Sequence, residues 1–523
     1  MTQRSEAVRG IVRIASNYLR LASTFLIGIF FVKLALGFGT DAYGLIVLIG
    51  VGTGILGMID EVVNWSMIRE LGAAYHGARE TRFRSVFTSA FVVCLGAALL
   101  TLAAFGLVLL VLDWLEIPVY LLPAARWFLV CTAIQAAFRV VLAPARNMYV
   151  ISERMVAMNV WEVVPRLLDL CAVALTLAWA DPNPADQVIC YGVLSNLFAV
   201  AQLAVSAVLI YWIDPKLRLA PRLVSRRQMA SLVKTGGWNT SISLAMNLGN
   251  RTDAIIMNKF FGTNGNVIYG LGLQTSAYAR MIAQGVTVGV DALATRVSTV
   301  SGVSAIRELI NYMTRLHGAV AFPAGLGCFF LVEPFLHAWV GRNLKDPATQ
   351  IPQIVAITRI LIVAITIRSI SDGWTRVLYG AGYIRTYAPL IFLGSLFNPF
   401  LSVALLWMYP DWYTAPSWAH TGLFFVFHVL LLPWLIRYAV QIGIRDTIFP
   451  LFRPVVASVI CVPILVWGCL HLQPGDLRGL AIVVLAYGAS YLPVAWLVIL
   501  DSGERQRVLT ALRRRLPGMS PGG

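Results

Sequence analysis

Apolar residues in this chain of 523 gather into long runs separated by short polar breaks. The runs lie near residues 10–36, 45–70, 85–112, 121–145, 156–180 and 187–213, and again near 232–258, 267–293, 312–339, 352–378, 386–408, 419–440, 453–471 and 479–500. Most are roughly 20 residues or longer, enough for a helix to cross a hydrocarbon core of about 30 Å. The pattern predicts an all-α polytopic membrane protein of about 14 transmembrane helices, read as six, six and two. An even number of spans per half gives both halves one orientation, so two six-helix lobes related by a two-fold along the membrane normal are expected. The expected domains are an N-lobe at 1–213, a cytoplasmic basic linker at 214–231, a C-lobe at 232–440, two further spans at 441–500 and a cytoplasmic basic tail at 501–523.

Two polar breaks say nearly the same phrase. Phe38-Gly39-Thr40-Asp41-Ala42-Tyr43-Gly44-Leu45 returns as Phe261-Gly262-Thr263, with Tyr269-Gly270-Leu271 a few residues on, offset by 223 at the first three residues and 226 at the last three. Arg146 and Tyr149 return as Arg376 and Tyr379. Such echoes mark an internal duplication. They pair the first span with the seventh and the fourth with the tenth. Two duplicated membrane halves point to transport, because a site between similar bundles can face either side as they rock.

Composition excludes a soluble globule: 58% of residues are hydrophobic and 13% charged, with mean hydropathy +0.75, against about 25% charged in soluble domains. No stretch remains for a folded soluble domain. The net charge of +16 has a topological origin. Most of the 41 Lys and Arg fall in alternate breaks, which places that side and both termini in the cytoplasm. The opposite, arginine-poor side carries Asp41, Asp113, Glu116, Asp181, Asp186, Asp346, Asp411 and Asp476. Nucleic-acid binding is not needed to explain the charge. The linker from Asp214 and the tail from Glu504 read as basic amphipathic segments on anionic lipid. The first apolar run has span length and no cleavage site, so it stays in the protein. The seven cysteines fall inside spans without disulfide or metal spacing, and the six histidines are scattered; no metal and no cofactor are assigned.

Ten basic side chains lie deeper in the spans: Arg20, Lys33, Arg126, Arg139, Arg166, Arg251, Arg280, Arg359, Arg368 and Arg376. A charge at the bilayer centre costs at least roughly 2.5–3.5 kcal/mol, so each must snorkel, pair, or face a wet interior. Lys33, Arg126 and Arg139 are within snorkelling reach of an interface. Arg368, Asp372 and Arg376 fall at i, i+4 and i+8, one stripe on the tenth span, which either braces two helices or lines a cavity. Glu162, Arg166 and Asp169 make a self-compensating stripe on the fifth. Arg20 and Arg251 lie on the paired first and seventh spans, and Arg280 is near mid-depth in the eighth. Candidates for cavity lining are therefore Arg20, Arg251, Arg280, Arg368, Asp372 and Arg376. Asp60, Glu61 and Asp253 are candidates for a coupling ion, or for pairing with arginine. Eight acids in all are embedded, the others being Glu162, Asp169, Asp291, Glu333 and Asp372. Guanidinium groups match phosphate geometry, so an anionic, polar cargo suits the pattern. Moving two negative charges outward against about 100 mV is downhill by roughly 4–5 kcal/mol, so no coupling ion is required.

The Phe-Gly-Thr-Asp-Ala-Tyr-Gly-Leu link, Arg251-Thr-Asp253-Ala-Ile-Ile followed by Phe-Gly-Thr, the ninth-span ending Val332-Glu333-Pro334-Phe335-Leu336-His337-Ala338-Trp339-Val340-Gly341, and Val377-Leu378-Tyr379-Gly380-Ala381-Gly382 carry a resemblance. The chain resembles the polysaccharide transporter branch of the multidrug/oligosaccharidyl-lipid/polysaccharide exporter superfamily over almost its whole length. The resemblance implies two six-helix lobes in a V around a central cavity, two extra helices, and flipping of undecaprenyl-pyrophosphate-linked sugars outward across a bacterial inner membrane, with lipid-linked oligosaccharide, membrane lipids and glycan polymerase or export proteins as partners. Two other readings stay open. A cation-coupled multidrug antiporter of the same superfamily would favour embedded acids over bases. A membrane enzyme acting on lipid-linked glycans would want a sizeable outer loop with catalytic side chains, and the breaks at 341–350 and 409–418 are short.

Overall fold

The computed structural model describes residues 3–77, 80–214, 216–234, 237–287, 290–300, 302–472 and 476–515, and no strand occurs among them. The helices are α1 (Gln3–Ala35), α2 (Thr40–Leu56), α3 (Met58–Gly77), α4 (Glu80–Leu110), α5 (Leu122–Val141), α6 (Ala143–Ile151), α7 (Met155–Trp179), α8 (Pro184–Ile213), α9 (Arg226–Lys234) and α10 (Gly237–Gln284). They continue with α11 (Val290–Val300), α12 (Gly302–Trp339), α13 (Pro347–Gly380), α14 (Ile384–Met408), α15 (Ala415–Phe424), α16 (Leu432–Val440), α17 (Ile444–Ile448), α18 (Phe452–Ile460), α19 (Val462–His471), α20 (Leu477–Val498) and α21 (Ser502–Arg515). A π-helical turn, Phe425–Leu431, joins α15 to α16.

Eleven segments among the described residues are long and apolar enough to span a membrane. The protein is thus a multi-pass, all-α membrane protein. The other three predicted runs are helical as well. They are α7, which carries Glu162, Arg166 and Asp169, and the two arms of α10, which bear Arg251, Asp253, Lys259 and Arg280. The second predicted run proves to be two helices, α2 and α3, broken at Gly57.

Both copies of the repeated phrase make the same reversal. Gly39 has φ 100° and Gly262 φ 63°, values an L side chain rarely adopts. Thr40 opens α2 directly after the first glycine, and Thr263 begins the second arm of α10 directly after the other. The glycine is what lets a span turn back within a few residues. In the second copy the bend divides α10 into its two arms, because the backbone at Gly262 is non-helical.

The helices form two compact units. One comprises Met1–Leu271, Arg342–Gln353 and Ile391–Ala419. Its largest apolar cluster gathers Met67, Leu71, Phe83, Phe87, Tyr149 and Ile210, with Leu217 and Leu232 from the polar connection after α8. The described residues of the predicted linker are therefore packed on this unit, with α9 lying on α3 and α4.

The other unit comprises Gly272–Gly341, Ile354–Leu390 and His420–Gly523. Here α18, α19 and α20 pack on α12 around Leu331, Leu465, Val483 and Tyr487. Pro323 lies inside α12 and lacks the N–H that would serve the carbonyl of Ala319. The Tyr491 hydroxyl donates to that carbonyl at 2.6 Å, and Tyr487 donates to Pro323 O at 3.2 Å. In hydrocarbon the freed carbonyl needs a partner, and α20 supplies it.

Candidate functional site

Each unit carries part of the embedded charge. In the first, Arg20 on α1 pairs with Glu162 on α7 and donates to Asn17 Oδ1 at 2.7 Å. Asn159 of α7 donates to Ser16 Oγ at 2.9 Å, so a polar seam joins the two helices. Asp60 is 4% exposed, and both its oxygens are engaged by guanidinium groups: Arg139 at 3.0 Å and Arg146 at 2.9 Å. A cation at Asp60 would have to displace two arginines. The side chain of Glu61 lies outside the described residues.

Asp253 is different. It is fully buried, and its donors among the described residues are neutral: Asn398 Nδ2 at 2.8 Å, Ser402 Oγ at 2.8 Å and Tyr269 OH at 3.1 Å. Asn398 Oδ1 is itself buried without a hydrogen-bond partner. Asn398 and Ser402 sit at i and i+4 on α14, a polar pair in an apolar helix that could have been picked out in the sequence. Two residues from Asp253, the Arg251 guanidinium fills the space beside Gly54 of α2; a Cβ there would overlap it.

The same unit brings the two repeated turns together. Thr263 of the second copy donates to Asp41 Oδ1 of the first at 2.9 Å. Gly44 lies directly against the Thr263 backbone, and a Cβ on Gly270 would come 2.9 Å from Val47 Cγ1. Gly44 and Gly270 are equivalent in the repeat, and at each of them the missing side chain lets α2 and the second arm of α10 approach closely. Glu116 joins this latch, its backbone N–H donating to Asn258 Oδ1 at 3.1 Å and its carboxylate accepting from Lys259 at 2.8 Å.

In the second unit Arg280 donates to Asp372 Oδ2 at 2.8 Å. Arg368, one turn before Asp372, is 9% exposed and lies over the Phe424 ring at 5.8 Å. Phe424 is stacked between His420 and His428, ring centroids 4.6 Å apart on each side. His428 Nδ1 and Ser371 Oγ share a hydrogen bond of 2.8 Å. The Nε atoms of Arg280 and Arg368 are buried without partners. Arg376 is exposed, so the predicted stripe on α13 does not continue as one buried face. Two cations and one acid thus share this site, beside an apolar cavity of about 350 Å³ lined by Phe322, Phe329, Ile362, Trp374, Phe425 and His428. The His-Phe-His stack went unnoticed in the sequence, although its spacing of four residues puts the rings on one helix face.

No family model matches the chain, and no curated protein does. Solved structures do. The lipid II flippase MurJ in an inward closed conformation is 12% identical, with TM-score 0.68 over 97% of this chain and 100% of that one. An inward-facing multidrug resistance MATE transporter of the MOP superfamily is 11% identical, with TM-score 0.59 over 87% and 98%. A MOP superfamily transporter from Pyrococcus furiosus, for which reverse polarity of the binding pocket suggests a different function, is 11% identical, with TM-score 0.55 over 87% and 96%. The chain has the fold of these membrane transporters.

Proposed function

We propose that the protein is a transporter of this superfamily and translocates an undecaprenyl-pyrophosphate-linked oligosaccharide from the cytoplasmic to the outer leaflet of a bacterial inner membrane, for surface or extracellular polysaccharide synthesis. The observation that carries the reading is the pair of guanidinium groups around the single carboxylate Asp372, Arg280 half-buried and Arg368 buried, each with a buried Nε that has no hydrogen-bond partner. A site with a surplus cation in low dielectric is completed by an anion, and pyrophosphate offers the bidentate acceptors that guanidinium prefers. Most of the described embedded acids are not free to take a cationic cargo. Of the six embedded acids whose side chains are described, Asp60, Glu162, Glu333 and Asp372 already sit on arginine. A lipid II flippase is among the proteins that share the fold. Arg251 and Arg376 are further candidate contacts for the cargo, each within its own unit, while the predicted candidate Arg20 is taken up by Glu162.

The latch between the repeated turns supplies the alternating step. Held by Asp41, Gly44, Thr263 and Gly270 on the arginine-poor side, it shuts one face of the pathway and must part for release. Asp253 is the coupling-ion candidate, since a monovalent cation there would meet a carboxylate and the bare oxygen of Asn398. That same acid is what a cation-coupled drug antiporter would use, and it is the feature that favours this second reading.

A deletion strain decides between them. Loss of surface polysaccharide with lipid-linked sugar accumulating in the inner leaflet is expected. Unchanged glycans with raised sensitivity to cationic dyes would refute the flippase reading in favour of the antiporter.

A further inference from the structure

The segment between α8 and α10 is a strap fixed to the first unit. At its start Tyr75 donates to Asp214 Oδ2 at 2.7 Å, and Lys216 lies over the Tyr75 ring at 5.1 Å. Burial and the adjoining carboxylate push the Tyr75 hydroxyl up to about 12, so it remains a donor. Three hydrogen bonds then rivet the strap to α4. Ser85 Oγ donates to Leu223 O at 2.7 Å, while the Ala220 and Ser225 N–H groups donate to Thr88 and Ser89 at 3.0 and 3.1 Å. Leu217 and Leu232 anchor its two ends in the core.

The charges that the strap turns outward are all of one sign. Lys216, Arg218, Arg222, Arg226 and Arg227 are exposed, and no acid occurs between residues 215 and 234. Interleaved with them, Leu219 is 48% and Val233 69% exposed. Its depth follows from α4. With 31 residues that helix is about 46 Å long, longer than the hydrocarbon core by about 16 Å. Counting about 20 residues back from Leu110 reaches Phe91, so Thr88 and Ser89 stand just beyond the hydrocarbon, at headgroup level. Trp212, 82% exposed at the end of α8, is the aromatic anchor expected at that depth.

We propose that the strap at 216–234 is a docking edge for anionic phospholipid headgroups of the leaflet on the basic side. Its arginines take the phosphates, its leucine and valine side chains enter the upper acyl region, and its fixed backbone holds both in one plane. Because the strap is the covalent connection between the repeated halves, bound anionic lipid would hold that connection on the first unit.

The test uses the full chain in detergent, titrated with dioleoyl phosphatidylglycerol or dioleoyl phosphatidylcholine and read by native mass spectrometry. Phosphatidylglycerol is expected to bind in preference, and R222Q/R226Q/R227Q to lower its affinity on the order of 100-fold, towards that of phosphatidylcholine. R385Q, an equally exposed arginine elsewhere, should leave the preference intact, and L219S/V233S should weaken both lipids alike. No preference in the unaltered protein, or a preference that survives the triple substitution, overturns the proposal. So does a triple variant whose only defect is loss of an acidic protein partner.

Discussion

Gly44→Ala tests the latch between the repeated turns. A Cβ at Gly44 would stand 3.1 Å from the carbonyl carbon of Thr263 and closer still to its oxygen. The obstacle is backbone, so no rotamer change relieves it, and α2 must separate from the second arm of α10. Overpacking of this kind costs roughly 1–3 kcal/mol. Separation also stretches the 2.9 Å bond from Thr263 to Asp41, worth about 1 kcal/mol. Only the latched conformation bears the combined cost of about 2–4 kcal/mol, which shifts the ratio of latched to parted molecules roughly 30- to 700-fold. Thr40, 8% exposed in the latch, reports that shift as Thr40→Cys. In intact cells a membrane-impermeant maleimide should label Thr40→Cys slowly, and at least about tenfold faster when Gly44→Ala is added. Gly50 on the same helix has nothing within 4 Å of its Cβ position, so Gly50→Ala should change nothing. Equal labelling with and without Gly44→Ala, in protein that is correctly inserted, would refute the latch.

Arg251→Ala, Arg280→Ala and Arg368→Ala are each expected to abolish export while the protein still reaches the membrane; normal export by all three would remove the cationic-site reading. Asp253→Asn keeps the volume but removes the charge, so any rise in melting temperature that sodium or protons give the unaltered protein should vanish. Tyr491→Phe leaves Ala319 O without its donor and should cost about 1–2 kcal/mol in a detergent melt. Adding Pro323→Ala restores the helical N–H and should recover most of that loss, a coupling that a double-mutant cycle reads directly. Arg453, then Arg315, hold the Asp501 carboxyl below the usual range. The stabilisation of α21 is therefore present above about pH 4 and lost as pH falls through the depressed value. Asp501→Asn should reproduce that loss at neutral pH, seen as faster amide exchange across 502–515.

The spans were legible because a helix in hydrocarbon announces itself by composition alone. Among the described residues all fourteen apolar runs are helical, including α7 and both arms of α10, whose charged and amide side chains lower their apolarity. The turns were legible for a different reason. The repeated Phe-Gly-Thr stands out by recurrence, and a positive φ explains why glycine is kept in both copies. Partnership was not legible. Arg69 is the arginine nearest in sequence to Asp60, yet its actual partners Arg139 and Arg146 lie on α5 and α6. Asn398 and Ser402 are nearly 150 residues from the acid they hold, and no local periodicity points from one to the other. Nor could sequence alone show that the basic linker is an ordered strap, since its fixing hydrogen bonds come from hydroxyls on α4 whose spacing resembles any helical Ser/Thr.

The embedded charges separate by the company they keep. Asp60 with Arg139 and Arg146, and Glu162 with Arg20, join neighbouring helices of one unit through direct ion pairs, as braces do. A brace gains most when every donor is used, because an unpaired donor in low dielectric is costly. Arg20 keeps a buried Nε without an acceptor but is ion-paired with Glu162, whereas Arg280 and Arg368, which each keep one as well, have a single carboxylate, Asp372, between them. Asp253 is the complementary case, an acid with neutral donors and a bare amide oxygen next to it. An anion at the first and a cation at the second would each complete an unfinished set of hydrogen bonds. Charged cargo and coupling ion are therefore expected where the protein leaves its polar groups incomplete, and the braces at Asp60 and Glu162 are expected to tolerate paired apolar replacement far better than Arg368 or Asp253 tolerate single substitution.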